Sequence, residues 1–145
     1  MKFKLEQVLA YYQKQEERLS KELAEIKSKL QEHSLYLQSL KKERENLLNS
    51  IRGHQEHSDG LWDVIACFHY LGMLDKRIEK LKEEMETLKI QCEVKQKQLV
   101  EVNKEKKILE RLKERWWQQE QKILLKKEQI LLDEIAINGY VRREG

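Results

Sequence analysis

Residues 71–92 have the sequence LGMLDKRIEKLKEEMETLKIQC, in which an apolar residue recurs at alternating intervals of three and four. This spacing gives a helix one narrow apolar seam, which must be buried against another helix. The alternation extends in both directions and is interrupted only at Lys95 and Lys106. The seam positions of this C-terminal arm are Val64, Cys67, Leu71, Leu74, Ile78, Leu81, Met85, Leu88, Cys92, Leu99, Val102 and Leu109.

An N-terminal arm repeats the pattern and is interrupted at Glu16, His33 and Arg44. Only one short polar segment with two glycines, residues 53–60, separates the arms, and such a connection indicates an antiparallel helical hairpin. The predicted fold class is all-α: an antiparallel two-helix coiled-coil hairpin with a longer second helix overhanging. The seam positions of the N-terminal arm are Leu5, Leu9, Tyr12, Leu19, Leu23, Ile26, Leu30, Leu37, Leu40, Leu47 and Ile51.

The pattern predicts a single coiled-coil domain over residues 1–145. Helix one is expected over about residues 4–52, a loop over about 53–60 and helix two over about 61–137, with a tail at 138–145. Charged residues make up 38% of the chain and hydrophobic residues 39%, and there is no proline, which is the profile of a coiled coil rather than a globular core.

Particular residues set these expected boundaries. Gly53 suits the C-cap of helix one, and Ser58 or Asp59 suits the N-cap of helix two. Gly139 is expected to end helix two. Gly72 lies inside helix two beside the seam, where a glycine costs about 1 kcal/mol relative to alanine unless close packing or a bend compensates.

The chain has no apolar run long enough to span a bilayer, and its N-terminus lacks the apolar core of a signal peptide. A cytoplasmic location is therefore expected, unless a partner brings the protein to a membrane. The formal net charge of +3 is too small to indicate nucleic-acid binding by itself. Cys67 and Cys92 lie too far apart on one helix for a disulfide and are interpreted as small buried apolar residues.

The C-terminal part of helix two has no predicted partner in the hairpin. If the arms pair antiparallel, Leu5 lies opposite about residue 108, and helix two continues alone. One seam row stays apolar there, while the other becomes charged. The apolar row is Leu109, Trp116, Ile123, Ile130 and Ile137, and the charged row is Lys106, Lys113, Glu120, Lys127 and Glu134.

The apolar stripe of this region is wider than a two-helix seam requires. It includes Trp116-Trp117 and the triplets at residues 123–125 and 130–132, and nearby basic side chains fit a protein interface. Three interpretations remain open at this point: a surface for a different protein, a seam between two copies of the chain, or a segment that folds back on helix one.

The sequence contains no motif that indicates a catalytic site. The chain has no glycine-rich phosphate loop, no nucleophile elbow and no His-Glu-x-x-His motif, and a two-helix hairpin offers no pocket for a small-molecule substrate. No enzyme activity and no cofactor are expected. His33 is interpreted as a buried neutral histidine or as a polar seam residue that sets register, rather than as a ligand. The loop contains a cluster of possible metal ligands, but a mobile loop would give them no fixed geometry and no supporting hydrogen bonds, so no metal site is expected there. The cluster is His54, Glu56, His57 and Asp59.

Three stretches resemble the FliJ family, the soluble stalk component of the bacterial flagellar export apparatus. These are FKLEQVL at residues 3–9, LERLKER at 109–115 and EQILLDEIA at 128–136. The chain departs from the family pattern at Trp116-Trp117 and at the apolar triplets.

The resemblance implies a non-enzymatic stalk with three kinds of partner. Its open end would enter the hexameric flagellar export ATPase, its loop end would contact the cytoplasmic domain of the export gate, and it would associate with export chaperones. The protein would then be cytoplasmic and peripherally associated with the membrane-bound apparatus. Nucleic acid is not an expected partner. A homodimeric coiled-coil scaffold and the equivalent stalk of an injectisome are the alternatives.

The expected contact residues fall into two groups. The ring-binding group is Trp116, Trp117, Ile123, Leu124, Glu128, Gln129, Ile130, Leu131 and Asp133. The gate-binding group is Leu47, Tyr70, Leu74 and Arg77, of which Tyr70 and Arg77 flank the seam and should be exposed, whereas Leu47 and Leu74 are seam positions first.

Overall fold

The computed structural model describes residues 3–56 and 60–144, which form two helices. Helix α1 is Glu6–Glu56 and helix α2 is Leu61–Glu144, and the two pack against each other. The described residues contain no strand. The predicted all-α hairpin with a longer second helix is therefore confirmed.

Both helices extend further than the glycine positions suggested. Helix α1 continues through Gly53 to Glu56, and α2 continues through Gly139 to Glu144. One glycine costs a helix only about 1 kcal/mol, which does not end a helix whose neighbouring residues favour it. Basic residues in the last turn of α2 also interact favourably with the helix dipole.

The first turn of α2 is closed by hydrogen bonds to the backbone carbonyl of Gly60. The amides of Asp63 and Val64 donate to the Gly60 carbonyl oxygen at 3.1 and 3.5 Å. The carboxylate of Asp63 lies in the first turn, where it complements the positive end of the helix dipole. The predicted N-caps, Ser58 and Asp59, lie outside the described residues.

The chain divides into two compact units, of which the first consists of residues 17–99. Its core is a cluster of four buried side chains, with partly buried neighbours on either side. Leu74 is the only described residue in the cluster that is completely inaccessible, at 0% exposure. The buried members are Leu40, Leu74, Ile78 and Leu81, and Leu37, Leu47 and Met85 pack against them.

Polar side chains at the interrupted seam positions of this unit form pairs between the helices. Arg44 Nε lies 2.6 Å from Asp75 Oδ1, and Lys95 Nζ lies 2.7 Å from Glu22 Oε2. The hydrogen bond and the charge of Lys95 lower the pKa of Glu22 below its ordinary value. These pairs fix which residues of the two helices face each other, because a shifted register would leave them unmatched.

His33 occupies a third interrupted position in this unit. Its Nδ1 lies 2.8 Å from the Lys29 carbonyl oxygen and therefore acts as the donor, while Nε2 lies 3.5 Å from Glu84 Oε2. The histidine thus contacts the backbone of its own helix and a carboxylate of α2, as expected for a polar residue that sets register.

The second unit consists of the N-terminal residues up to Glu16 together with residue 100 onward. Leu9 and Leu109 are its buried apolar residues. Lys106 Nζ lies 2.8 Å from Glu16 Oε2, an oxygen that is itself buried, and the hydrogen bond raises the pKa of Lys106.

The N-terminal end of α1 packs against a later part of α2 than the seam pattern suggested. Lys113 Nζ lies 2.9 Å from Glu6 Oε1, and the rings of Phe3 and Trp116 pack with centroids 5.8 Å apart. Leu5 therefore lies opposite residues close to 113 rather than opposite residue 108. We call the part of α2 beyond Trp116, residues 117–144, the overhang.

Candidate protein-binding surfaces

The overhang exposes a continuous set of large apolar side chains. Between Ile123 and Val141 their exposed fractions range from 49% to 63%. Buried apolar surface contributes about 25 cal/mol per Å², so enclosure of these side chains by a partner would contribute substantially to the free energy of binding. The set is Ile123, Leu124, Leu125, Ile130, Leu131, Leu132, Ile135, Ile137, Tyr140 and Val141.

These side chains form two rows with a spacing of seven residues. One row begins at Trp116 and continues through Ile123 and Ile130, and the other begins at Trp117 and continues through Leu124 and Leu131. Residues seven apart lie on nearly the same side of an α-helix, about 10 Å apart along its axis. The two apolar rows flank a charged row that includes Glu120 and Lys127, so the surface covers more than one side of the helix.

The two adjacent tryptophans have different environments. Trp116 is half-buried and packs on Phe3, with an angle of 47° between the ring planes. Trp117 is 57% exposed and lies in the apolar row that leads into the overhang. Trp116 therefore holds the N-terminal residues against α2, whereas Trp117 remains accessible to a partner.

The polar residues predicted to bind the ring lie on the exposed surface of the overhang. Glu128, Gln129 and Asp133 are all exposed. Gln129 Nε2 donates to Asp133 Oδ1 at 3.1 Å, one helical turn further on. This hydrogen bond orients the Asp133 carboxylate along the surface of α2.

The residues predicted to bind the gate divide into exposed and buried pairs. Tyr70, at 37% exposure, and Arg77 are accessible. Leu74 is completely buried, and Leu47 is half-buried against its cluster. Arg77 lines a shallow groove of about 210 Å³, whereas Leu74 can affect a partner only through the hairpin that it stabilises.

Tyr70 is held by a carboxylate of the other helix. Its hydroxyl donates to Glu43 Oε1. This hydrogen bond to the neutral phenol, together with desolvation and the nearby negative charge, raises the pKa of Tyr70. The hydrogen bond thereby fixes the partly exposed ring beside the seam.

A second exposed apolar surface lies on the first turns of α2, and the seam pattern did not single it out. Leu61, Trp62, Ile65 and Phe68 are exposed there, and Trp62 is 81% exposed. Leu61, Ile65 and Phe68 recur at intervals of four and three outside the seam, with Trp62 next to Leu61, and that spacing is the sequence signal that identifies this surface. They lie on the side of α2 away from buried Leu74.

Possible metal ligands and free thiols were the remaining candidates for a site. No group of three or more His, Cys, Asp or Glu side chains among the described residues could hold a metal ion. Cys67 and Cys92 are half-buried free thiols. The loop side chains considered as weak metal ligands lie outside what the structure describes. In the described part of the chain, neither helix has a stretch long and apolar enough to cross a membrane.

Comparison with known proteins identifies the family. A search of curated proteins gave no match, and a search of solved structures gave none. A family model described as Flagellar FliJ protein matches residues 1–145, which is the whole chain. Since the match covers both helices and the overhang, the chain belongs to the FliJ family, whose role is related to flagellar protein export.

Proposed function

We propose that this protein is a non-enzymatic stalk and adaptor of the flagellar export apparatus. The end of α2 that includes the overhang inserts into the hexameric export ATPase ring. Residues near the loop contact the cytoplasmic domain of the export gate, which would hold the protein peripherally at the membrane. Membership of the FliJ family supports association with the export apparatus.

The observation that most favours ring binding is the uncovered apolar surface of the overhang. Helix α1 begins at Glu6, and Phe3 packs at Trp116, so none of the described α1 residues faces the overhang. Isolated surface helices normally have a polar face toward water, whereas the overhang has apolar side chains on more than one side. A helix enclosed by several subunits would bury such a surface.

The proposed mechanism is differential binding. A stalk without catalytic groups changes the activity of a ring only if it binds one ring conformation more tightly than another. The apolar rows that include Ile123 and Leu124 supply the binding surface, and exposed Trp117 extends it toward the hairpin. The basic side chains of Lys122 and Lys126 are also exposed and suit acidic groups of the ring.

The proposed gate contact uses exposed side chains near the loop. Tyr70 and Arg77 are accessible on α2, and the hydrogen bond from Tyr70 to Glu43 fixes the tyrosine ring. Leu47 and Leu74 support this surface from inside the hairpin. The two proposed contacts therefore involve separate units of the chain.

The test is ATP hydrolysis by the purified export ATPase with and without this protein. The variant Ile123→Ser, Leu124→Ser, Ile130→Ser and Leu131→Ser should lose stimulation while its helicity, measured by circular dichroism, is retained. Each serine removes an apolar side chain that is about half exposed, so the substitutions leave the hairpin core intact.

A matched control makes the same kind of substitution outside the overhang. Ile90, Val94, Val100 and Ile108 are exposed apolar residues of α2, at 55%, 48%, 53% and 51%. Replacement of all four with serine should leave stimulation unchanged. Equal loss of stimulation in both variants, or full stimulation by the overhang variant, would contradict ring binding through the overhang.

A further inference from the structure

Lysines of α2 meet carboxylates of α1 where the hairpin seam approaches the overhang. Lys106 Nζ lies 2.8 Å from Glu16 Oε2. Seven residues further on, Lys113 Nζ lies 2.9 Å from Glu6 Oε1. Helix α1 therefore supplies a charge of opposite sign to each of the first two members of the charged row, on the side of α2 that faces it.

The charged row continues along α2 beyond the N-terminal residues that pack on it. Phe3 packs at Trp116, and the row then goes on at the same spacing of seven. Its later members are Glu120, Lys127 and Glu134, and in the described part of the chain none of these three has an ion-pair partner. The overhang thus carries a run of charges of alternating sign that the described hairpin leaves unmatched.

We propose that a helix of the export ATPase ring continues the α1 side of the seam along this row, with basic, acidic and basic side chains opposite Glu120, Lys127 and Glu134. This inference rests on the proposed function and adds the chemistry of the ring segment that the overhang recognises. Residues seven apart lie about 10 Å apart along an α-helix, and the charges of the ring helix have the same spacing. Apolar side chains between them pack on Ile123 and Ile130.

A helix fits this side of the overhang because the seam of the hairpin continues into it. From Glu120 to Ile137 the charged and apolar rows alternate at intervals of three and four, as they do from Lys106 to Trp116, where the N-terminal residues pack on α2. Such an alternation matches one neighbouring helix, whose side chains insert between those of the seam. The proposed contact is therefore continuous with the interface that α1 and α2 already form.

The order of the charges distinguishes this partner from other apolar helices. Burial of apolar side chains is favourable for any helix of suitable shape, because the hydrophobic effect has no direction. A helix with acidic, basic and acidic side chains at the same places would put like charges together at Glu120, Lys127 and Glu134. Such contacts weaken the binding of a wrong partner and so provide specificity.

The exposed apolar side chains of the overhang favour a ring over a second copy of the chain. Leu125 and Leu132 are 63% and 59% exposed, on nearly the opposite side of α2 from Lys127. One further helix covers a single side of α2, so a dimer through the charged row would leave these leucines exposed. Several subunits around α2 supply one helix to the charged row and other contacts to the remaining sides.

The first test measures the binding of two synthetic helical peptides to the full chain by titration calorimetry. Both have apolar residues at intervals of three and four, and they carry either Lys, Glu and Lys or Glu, Lys and Glu at intervals of seven. The Lys-Glu-Lys peptide should bind about tenfold more tightly. The triple variant E120K/K127E/E134K should reverse this preference. Equal affinities, no binding of either peptide, or a preference that the triple variant leaves unchanged would overturn the proposal.

The second test measures how much of the full chain is needed for half-maximal stimulation of the purified export ATPase. Glu120→Lys and Lys127→Glu should each raise that concentration about tenfold, because each places like charges against the ring helix. The matched controls are Glu114→Lys and Arg111→Glu, which make the same charge changes at exposed positions of α2 outside the overhang. Both controls should leave the concentration unchanged.

The outcomes separate this proposal from the proposed function. Stimulation by the original chain that changes equally in the row variants and in the controls would refute recognition through the charged row and leave ring insertion intact. No stimulation by the original chain would refute the proposed function, and with it the ring as occupant. Sedimentation in which the original chain self-associates and both row variants do not would assign the row to a second copy and overturn the proposal.

Discussion

Leu74→Ala should destabilise the hairpin more than any comparable change on the exposed side of α2. Leu74 is completely inaccessible and packs with Leu40, Ile78 and Leu81. The substitution removes three carbon atoms, and at about 0.8 kcal/mol for each the transfer term is about 2.4 kcal/mol. A residual cavity adds to this loss, so the free energy of unfolding should fall by about 3 kcal/mol.

The assay is urea denaturation followed by far-ultraviolet circular dichroism. The matched control is Ile90→Ala on the same helix, where the side chain is 55% exposed. That change should alter the free energy of unfolding by no more than about 0.5 kcal/mol. If Leu74→Ala costs as little as Ile90→Ala, the cluster around Leu74 does not hold the two helices together, and the reasoning from burial is refuted.

Two further changes test the electrostatics of the seam and the backbone of α2. Because Lys95 lowers the pKa of Glu22, the pair stabilises the hairpin above the ordinary carboxyl pKa of 4.5, and this contribution is lost as the pH falls through the lowered value. Unfolding measured across the acid range should show a weaker pH dependence in Lys95→Met, and an unchanged dependence would contradict the pairing. Gly72→Ala should raise the free energy of unfolding by about 1 kcal/mol, since an added Cβ meets nothing within 4 Å, and calorimetry should show a higher Tm. A lower Tm would indicate that Gly72 is needed for a close contact.

The buried core could be predicted from the sequence because heptad spacing has a direct geometric meaning. The alternation of three and four residues selects one side of a helix, and only side chains on that side can be enclosed by a single partner. Among the described residues, the buried apolar ones all belong to the predicted seam. They are Leu9, Leu19, Leu23, Leu40, Ile51, Leu74, Ile78, Leu81 and Leu109.

The pairing of the polar seam residues could not be predicted, because heptads repeat and a shift by seven residues leaves the apolar pattern nearly unchanged. Glu16 and Lys106 interrupt different arms, and nothing in either arm alone indicates that they meet. The glycines left the ends of the helices ambiguous in a similar way. Gly53 and Gly139 are compatible with a helix end, yet both lie inside helices because their neighbours favour helix more strongly.

The candidate surfaces were only partly visible in the sequence. The stripe from Ile123 onward was recognisable because it is wider than a two-helix seam needs. The exposed group of Leu61, Trp62, Ile65 and Phe68 was not, because it lies close to a regular seam that accounted for the helix without it. The contact residues of ring and gate stay predictions, since they depend on partners.

The positions of the three tryptophans give the protein an internal set of optical reporters. Trp62 is 81% exposed at the start of α2, Trp116 packs on Phe3, and Trp117 is 57% exposed beside it. Indole fluorescence shifts to shorter wavelength when water is excluded. Versions that retain a single tryptophan would therefore report separately on contacts near the loop, on release of the N-terminal residues, and on enclosure of the overhang, without any attached dye.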